Sequence, residues 1–431
     1  MKTYRFQDLS ETRLNELVKR PSIDTAGVIE KVTPIIEEVK SEGDSALLNY
    51  TEQFDGVRPD PICREVKAPE SLDLSEDIIS AFDTAYDNIY KFHKAQYPAE
   101  IKTETQPGVV CHRIPRPIER VGLYIPGGTA ILPSTTLMLG IPAQIAGCKE
   151  ITIATPPAPD GSIPEEVEYV AHKIGATQIL LAGGAQAIAA MAYGTESVSK
   201  VDKIFGPGNQ FVTAAKMLLL NSDAMVGIDM PAGPSEVLVI ADETADPAFV
   251  ASDLLSQAEH GTDSQVVLVG IGNFDYTTLK KEIDSQLSVL PRKEVAAKAL
   301  LESLIIKTDS PDEAISFSNS YAPEHLIIIT ENADKLCEQV TNAGSVFLGP
   351  WTPESVGDYA SGTNHTLPTY GYARMFSGVS LLDFFKFITT QKLTQEGLKS
   401  IAPAVTTMAE VEELEAHKIA VTKRLDSMDN S

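Results

Sequence analysis

Four of the seven histidines in this 431-residue chain stand beside other groups that can ligate a metal or move a proton. Gln257 and His260 lie three apart at the end of an apolar helical run that Gly261 stops, so both can face one centre. Glu324-His325 directly precedes the apolar run 326–330, a loop-to-strand position from which two adjacent side chains can reach one reacting centre. Asp358 and His365 flank the Gly/Ser/Thr-rich loop 359–366, and His417 follows the acidic stretch 412–415 in the last helical segment. Imidazole, amide and carboxylate donors without thiolates suit a catalytic zinc or similar divalent ion with an open position, rather than a closed structural site. Taken one at a time, His260 and His417 read as helix-end residues meeting the dipole, and His325 as a strand-start residue. Convergence is a matter for the fold. The other three histidines have a structural reading. His93 and His172 sit in amphipathic helices beside lysines, solvated or half-buried, and His112 lies in a basic, exposed stretch.

Two Gly-rich turns test for a dinucleotide fingerprint. Gly270-Ile271-Gly272 and Gly206-Pro207-Gly208 both follow apolar strand-like runs, but Asp275 and Phe211 occupy the third glycine position. Without that glycine the helix cannot pack close to its strand in the usual dinucleotide-binding way. Gly208-Asn209 still opens a helix whose free N–H groups suit an anion. The Gly/Pro-rich segment 229–236 reads either as a plain loop or as a rigid backbone that holds the Ser235 hydroxyl toward a substrate.

The elements that must position these groups follow from hydrophobic periodicity. Residues 28–50 and 72–92 show helical spacing. From residue 121 strands alternate with helices: strands at 151–155, 178–182, 201–205, 236–240, 265–270, 326–330 and 345–348, with helices at 165–174, 185–193, from 209, and 247–260. That alternation implies parallel βαβ units, hence an α/β chain with two sheet-bearing lobes. From about Gln391 the tail reads as helical, with no strand signal.

Composition narrows the function. With 35 Lys and Arg against 60 Asp and Glu, the net charge of −25 disfavours nucleic-acid and anionic-membrane partners. The four dispersed cysteines form neither a disulfide framework nor a thiolate zinc site. The N-terminus lacks the apolar core of a signal peptide, which points to a reducing cytoplasm. The charge-free stretch 121–148 is long enough to span a bilayer, but Pro126, Pro133 and Pro142 read it as buried loop, strand and short helices.

Several long segments are similar to one family in order and spacing: 121–128, 183–186, 203–209, 229–236, 254–261, 323–326, 357–365 and 416–418. The chain resembles the L-histidinol dehydrogenase family from about residue 20 to the last helix, with no departure at a position that family uses for chemistry. The resemblance implies a four-electron oxidation of L-histidinol to L-histidine through a bound aldehyde, with two NAD⁺ reduced. It also implies a homodimer with one zinc per site, and two larger lobes with incomplete Rossmann-like parallel sheets related to aldehyde dehydrogenases. Carried over by motif, Gln257, His260, Asp358 and His417 are the zinc ligands, His417 coming from the partner chain. Glu324 and His325 are the acid/base pair. Ser235, His365 and Glu412 join the metal ligands and His325 in contacting substrate, while Tyr124, Gln186 and Asn209 contact NAD⁺. The expected division is an N-terminal helical arm 1–23, a first α/β domain from 24–120 and 235–380, a second from 121–234, and a C-terminal helical domain 381–431 that reaches the partner's site. Glu412 and His417 are five apart, so a straight helix points them away from each other, whereas Glu413 would share His417's face.

Three other functions compete with that reading. An aldehyde dehydrogenase would need an activated thiolate at Cys111 or Cys148. A zinc hydrolase would use His260, Asp358 and His417 with Glu324 as base and no NAD⁺. A binding protein would turn nothing over.

Overall fold

The alternating pattern folds into two six-stranded sheets within one compact unit, residues Met1–Gln96 and Ile118–Asp383. The computed structural model describes residues 1–20, 25–127, 132–230 and 233–429; the boundary at 23/24 and the motif residues Gly128, Pro231 and Ala232 lie outside them. In the first sheet every neighbouring pair is parallel, in the order Lys2–Arg5, Leu304–Thr308, Gln265–Ile271, Glu236–Ala241, His325–Ile329 and Ser345–Leu348. The central strands EVLVIA, QVVLVGI and HLIII are buried along their whole length, the near-continuous apolar reading of a sheet covered on both faces. In the second sheet Cys63–Arg64, Gln178–Leu181, Glu150–Thr155, Arg120–Tyr124, Lys203–Phe205 and Gly227–Ile228 lie side by side, and only the first pairing is antiparallel.

Local chemistry sets the helix starts. Asp246 caps the helix Pro247–Ala258 by accepting from the Ala248 N–H at 2.9 Å, with a proline at the first helical position. Ser310 and Pro311 repeat the device for Pro311–Tyr321. At the second sheet's edge Gly206 has φ +120°, and a Cβ there would come within 2.1 Å of the Tyr124 carbonyl oxygen, so only glycine fits.

Several expectations are corrected. The helical run 28–50 breaks at Gly43 (φ +57°) into Thr25–Glu42 and Asp44–Asp55. These helices pack with Gly184–Tyr193 and Gln210–Leu220, and Cys63–Arg64 pairs with Gln178–Leu181, so 25–64 joins the second sheet rather than the lobe built on 235–380. The N-terminal arm begins as a strand, Lys2–Arg5, paired with Leu304–Thr308. His93 is wholly buried, its Nδ1 2.9 Å from the Ile89 carbonyl. The charge-free stretch holds a strand and one 14-residue helix, Pro133–Ala146, and no helix among the described residues is long and apolar enough to cross a membrane.

The second compact unit, Tyr97–Pro117 and Phe384–Ser431, contains an antiparallel sheet that the sequence reading missed. Phe385–Leu393 pairs with Val109–Pro117, which pairs with Ile101–Gln106. The two outer strands, Ile101–Gln106 and Phe385–Leu393, are largely exposed, so they carry no apolar periodicity and are held by their ladder. The helices Gln395–Val411 and Glu415–Asp429 follow, and the chain between them reverses at Glu413 (φ +57°). The straight helix that set Glu412 against His417 therefore does not exist.

A buried ion pair ties the first sheet together. The Arg20 guanidinium meets both carboxylate oxygens of Glu236 at 2.7 Å, donates to the Tyr321 carbonyl at 2.7 Å and lies over the Tyr321 ring. Removing one member of such a pair strands the other charge. Glu236→Leu is expected to lower unfolding free energy by about 3–5 kcal/mol, and Arg20→Met with Glu236→Leu to regain most of it. Denaturant melts decide this, and a double variant as weak as the single would contradict it.

Asp253, buried on the helix Pro247–Ala258, has its pKa pushed up to about 7 by burial. Between the unfolded value of 3.8 and about 7 the folded chain keeps a proton that the unfolded chain has lost. Stability from this group therefore falls as pH rises through that window. Metal-free Asp253→Asn should be more stable than wild type by about 1–3 kcal/mol at pH 8, with the gain vanishing near pH 4. A gain independent of pH would refute the assignment.

Candidate active site

The chemistry-bearing residues of the first lobe gather where its parallel strands begin. Val237 pairs with His325, so Ser235-Glu236 and Glu324-His325 enter the sheet side by side. The helix Pro247–Ala258 returns to this edge before the strand Gln265–Ile271 starts, which brings Gln257 and His260 there. His260 lies beyond the last helical residue rather than on the helix, and its N–H donates to the Gln257 carbonyl at 3.2 Å, keeping the two close. The short helix Glu354–Tyr359 supplies Glu354 and, one turn later, Asp358.

Glu236 organises Glu324 and His325 through its backbone. Its N–H donates to Glu324 Oε2 at 2.8 Å, and its carbonyl lies 3.0 Å from His325 Nδ1. A carbonyl only accepts, so Nδ1 carries the proton and the lone pair of a neutral ring sits on Nε2. That Nε2 is buried without a hydrogen bond, 3.4 Å from Asp358 Oδ1. Gly344 closes the other side: a Cβ there would come within 2.6 Å of the Glu324 carbonyl oxygen.

The electrostatics follow from burying several acids around one imidazole. Burial pushes the Glu324 carboxyl up to about 8, against the opposing pull of His325. Burial lowers His325, but Glu324, Glu354 and Asp358 outweigh it and hold its pKa well above the ordinary value. Asp358 is raised by burial and pulled down further by its contact with His325, to about 2. In the metal-free chain one proton is thus held on His325 by the carboxylates around it.

A metal fits this donor set. Ligating atoms of His260, Glu354 and Asp358 lie within 4.8 Å of one another, and Gln257 Oε1 is buried with no hydrogen-bond partner. A buried amide oxygen without a donor is costly unless a ligand completes it. His365 stands by: its Nδ1 donates to the Asp358 carbonyl at 2.8 Å, and its Nε2 lies 3.1 Å from the Thr135 hydroxyl of the other lobe. Asn364 donates to the Met138 carbonyl at 2.6 Å, which pins the same loop. Glu412 and His417 are exposed residues of the C-terminal unit.

The residues expected to contact NAD⁺ lie where strands of the second sheet end, the edge at which open α/β sheets bind ligands. Tyr124 ends Arg120–Tyr124, and its hydroxyl accepts from the Gly184 N–H at 3.0 Å at the start of the helix Gly184–Tyr193. Gln186 is buried in that helix's first turn with neither amide atom partnered. Asn209, exposed, caps the helix Gln210–Leu220 through its Oδ1. Cys148, one candidate thiol nucleophile, is pushed up to about 12 by burial, the opposite of activation.

Sequence reasoning missed Glu236 and Glu354 as parts of this site. Both left signals: a carboxylate opening an otherwise apolar strand, and a second acid one helical turn before Asp358.

The family model described as histidinol dehydrogenase matches residues 18–425. The chain is 59% identical over 430 residues to the chloroplastic histidinol dehydrogenase of Arabidopsis thaliana, covering all of this chain and 92% of that one. It is 54% identical to the histidinol dehydrogenase of Vibrio parahaemolyticus, covering 99% of each. The crystal structure of histidinol dehydrogenase from Elizabethkingia anophelis superposes with a TM-score of 0.93 at 51% identity, covering 100% of this chain and 99% of that one. The match over residues 18–425 and the full-length similarity place the chain in the histidinol dehydrogenase family.

Proposed function

We propose that this chain oxidises L-histidinol to L-histidine, the last step of histidine biosynthesis, in two hydride transfers to two NAD⁺ with the aldehyde retained between them. The observation that carries this reading is the gathering of Glu324, His325, Gln257, His260 and Asp358 at one sheet edge in a chain of this family. Gln257, His260 and Asp358, with the partner subunit's His417, would hold one zinc ion. Bound there, zinc would fix the amino and imidazole nitrogens of the substrate and so orient the carbinol carbon.

The chain's own residues carry the proton chemistry. With Asp358 engaged as a ligand, its charge no longer holds a proton on His325, and the Nε2 lone pair becomes the base. His325 takes the hydroxyl proton as hydride leaves the carbinol carbon for the nicotinamide. Glu324 removes a proton from the water that adds to the aldehyde, and the resulting hydrate loses the second hydride. Ser235, His365 and Glu412 line the substrate; Tyr124, Gln186 and Asn209 receive NAD⁺. In this reading the enzyme is a cytoplasmic homodimer whose C-terminal segment, 381–431, completes the partner's site. Its partners are small molecules, in keeping with a net charge of −25.

NADH formation at the nicotinamide absorbance, with L-histidinol and NAD⁺, tests the reaction. Two NADH per histidinol, lost on chelation and regained with zinc, is the expected result; activity after complete metal removal would refute the zinc assignment. His325→Ala should slow alcohol oxidation by about 10²–10⁴-fold with zinc content unchanged. Normal turnover in that variant would remove His325 from the mechanism. Mixed dimers carrying His417→Ala in one chain and His325→Ala in the other should keep about half the wild-type activity, because both lesions then fall in one site. Near-complete loss would place His417 in its own chain's site.

A further inference from the structure

Gln257 is held in an uneven way. Its Nε2 donates to Glu354, while its Oε1 is buried with no hydrogen-bond partner. The two ends of a primary amide have nearly the same shape, so packing does not choose which faces a site; hydrogen-bond partners do. The Glu354 oxygen that faces Gln257 accepts from the NH₂ end, which turns the amide oxygen away from it.

Glu354 is itself well placed for this task. It is 1% exposed, and its other oxygen is 3.4 Å from the hydroxyl of Ser256, the residue before Gln257. Its helix carries Asp358 one turn further on. Glu354 lies within ligand range of the cluster, yet its Oε1 is already engaged by the Gln257 amide and its Oε2 faces the Ser256 hydroxyl, whereas Gln257 Oε1 has no partner.

We propose that Glu354 is a positioning residue for the metal centre: it accepts from Gln257 Nε2, commits Oε1 to the ion, and does not itself ligate. This rests on the reading of the site as a zinc centre. Outer partners that orient a ligand matter to affinity nearly as much as the ligand itself.

The test is the zinc dissociation constant of the dimeric enzyme, measured by competition with a chromophoric chelator. Circular dichroism of the metal-free variants monitors folding. Glu354→Leu fills the same buried space without an acceptor and should weaken zinc binding about 10–100-fold. Glu354→Gln loses the charge but keeps an acceptor oxygen, and should stay within about threefold of wild type. With Co²⁺ in place of zinc, the visible ligand-field bands should change in the leucine variant and persist in the glutamine variant. If both substitutions weaken binding equally, Glu354 ligates the ion directly and the proposal is wrong. If neither does, Glu354 is structural only. Should Glu354→Leu fail to fold, Glu354→Met takes its place. A wild-type enzyme that takes up no zinc would overturn the zinc reading itself, a result distinct from the other two.

Discussion

The site depends on one residue, Glu236, that does no chemistry. Its backbone N–H and carbonyl engage Glu324 and His325, and its carboxylate is paired with buried Arg20 and accepts from the Tyr370 N–H at 3.1 Å. The backbone of a single residue thereby sets the position of Glu324 and the tautomer of His325. Because the carboxylate sits in a buried ion pair, the strand cannot slide without stranding a charge. The placement of Glu324 and His325 is thus anchored in the sheet rather than in a loop.

The two lobes use opposite edges of their sheets. In the second sheet, Tyr124 and Gly183-Gly184 stand at the carboxyl ends of parallel strands, where open α/β folds receive ligands. In the first, Ser235, Glu236, Glu324 and His325 stand where strands begin. The loop that follows the Asp358 helix and carries His365 bridges the lobes through His365 to Thr135 and Asn364 to Met138. These bonds hold the two lobes in a common frame within a single compact unit.

Burying Glu324, Glu354, Asp358 and His325 together is expensive for the metal-free chain. The cost is expressed as raised Glu324 and Glu354, lowered Asp358 and a proton held on His325. Four titratable groups that move together are a poor folding device but a good site for a cation and a proton-transfer reaction, since both exploit unbalanced charge.

How much of this could be read from residues alone varies with the physics. The buried strands 236–241, 265–271 and 325–329 were legible because burial on both faces leaves continuous apolar runs. The motif residues were legible by type, and their family by order and spacing. The exposed ladder formed by 101–106, 109–117 and 385–393 was not, because its stability lies in pairing between distant segments. The break at Glu413 and the placement of helices 25–55 against the second sheet also escaped, since both depend on which surface is available to pack against. Sequence by itself determined which groups could do chemistry and which strands must be buried. Only tertiary structure decided that Glu236 would hold the tautomer and Glu354 would face Gln257, because a hydrogen bond between residues 89 or 97 positions apart leaves no periodic trace in the chain.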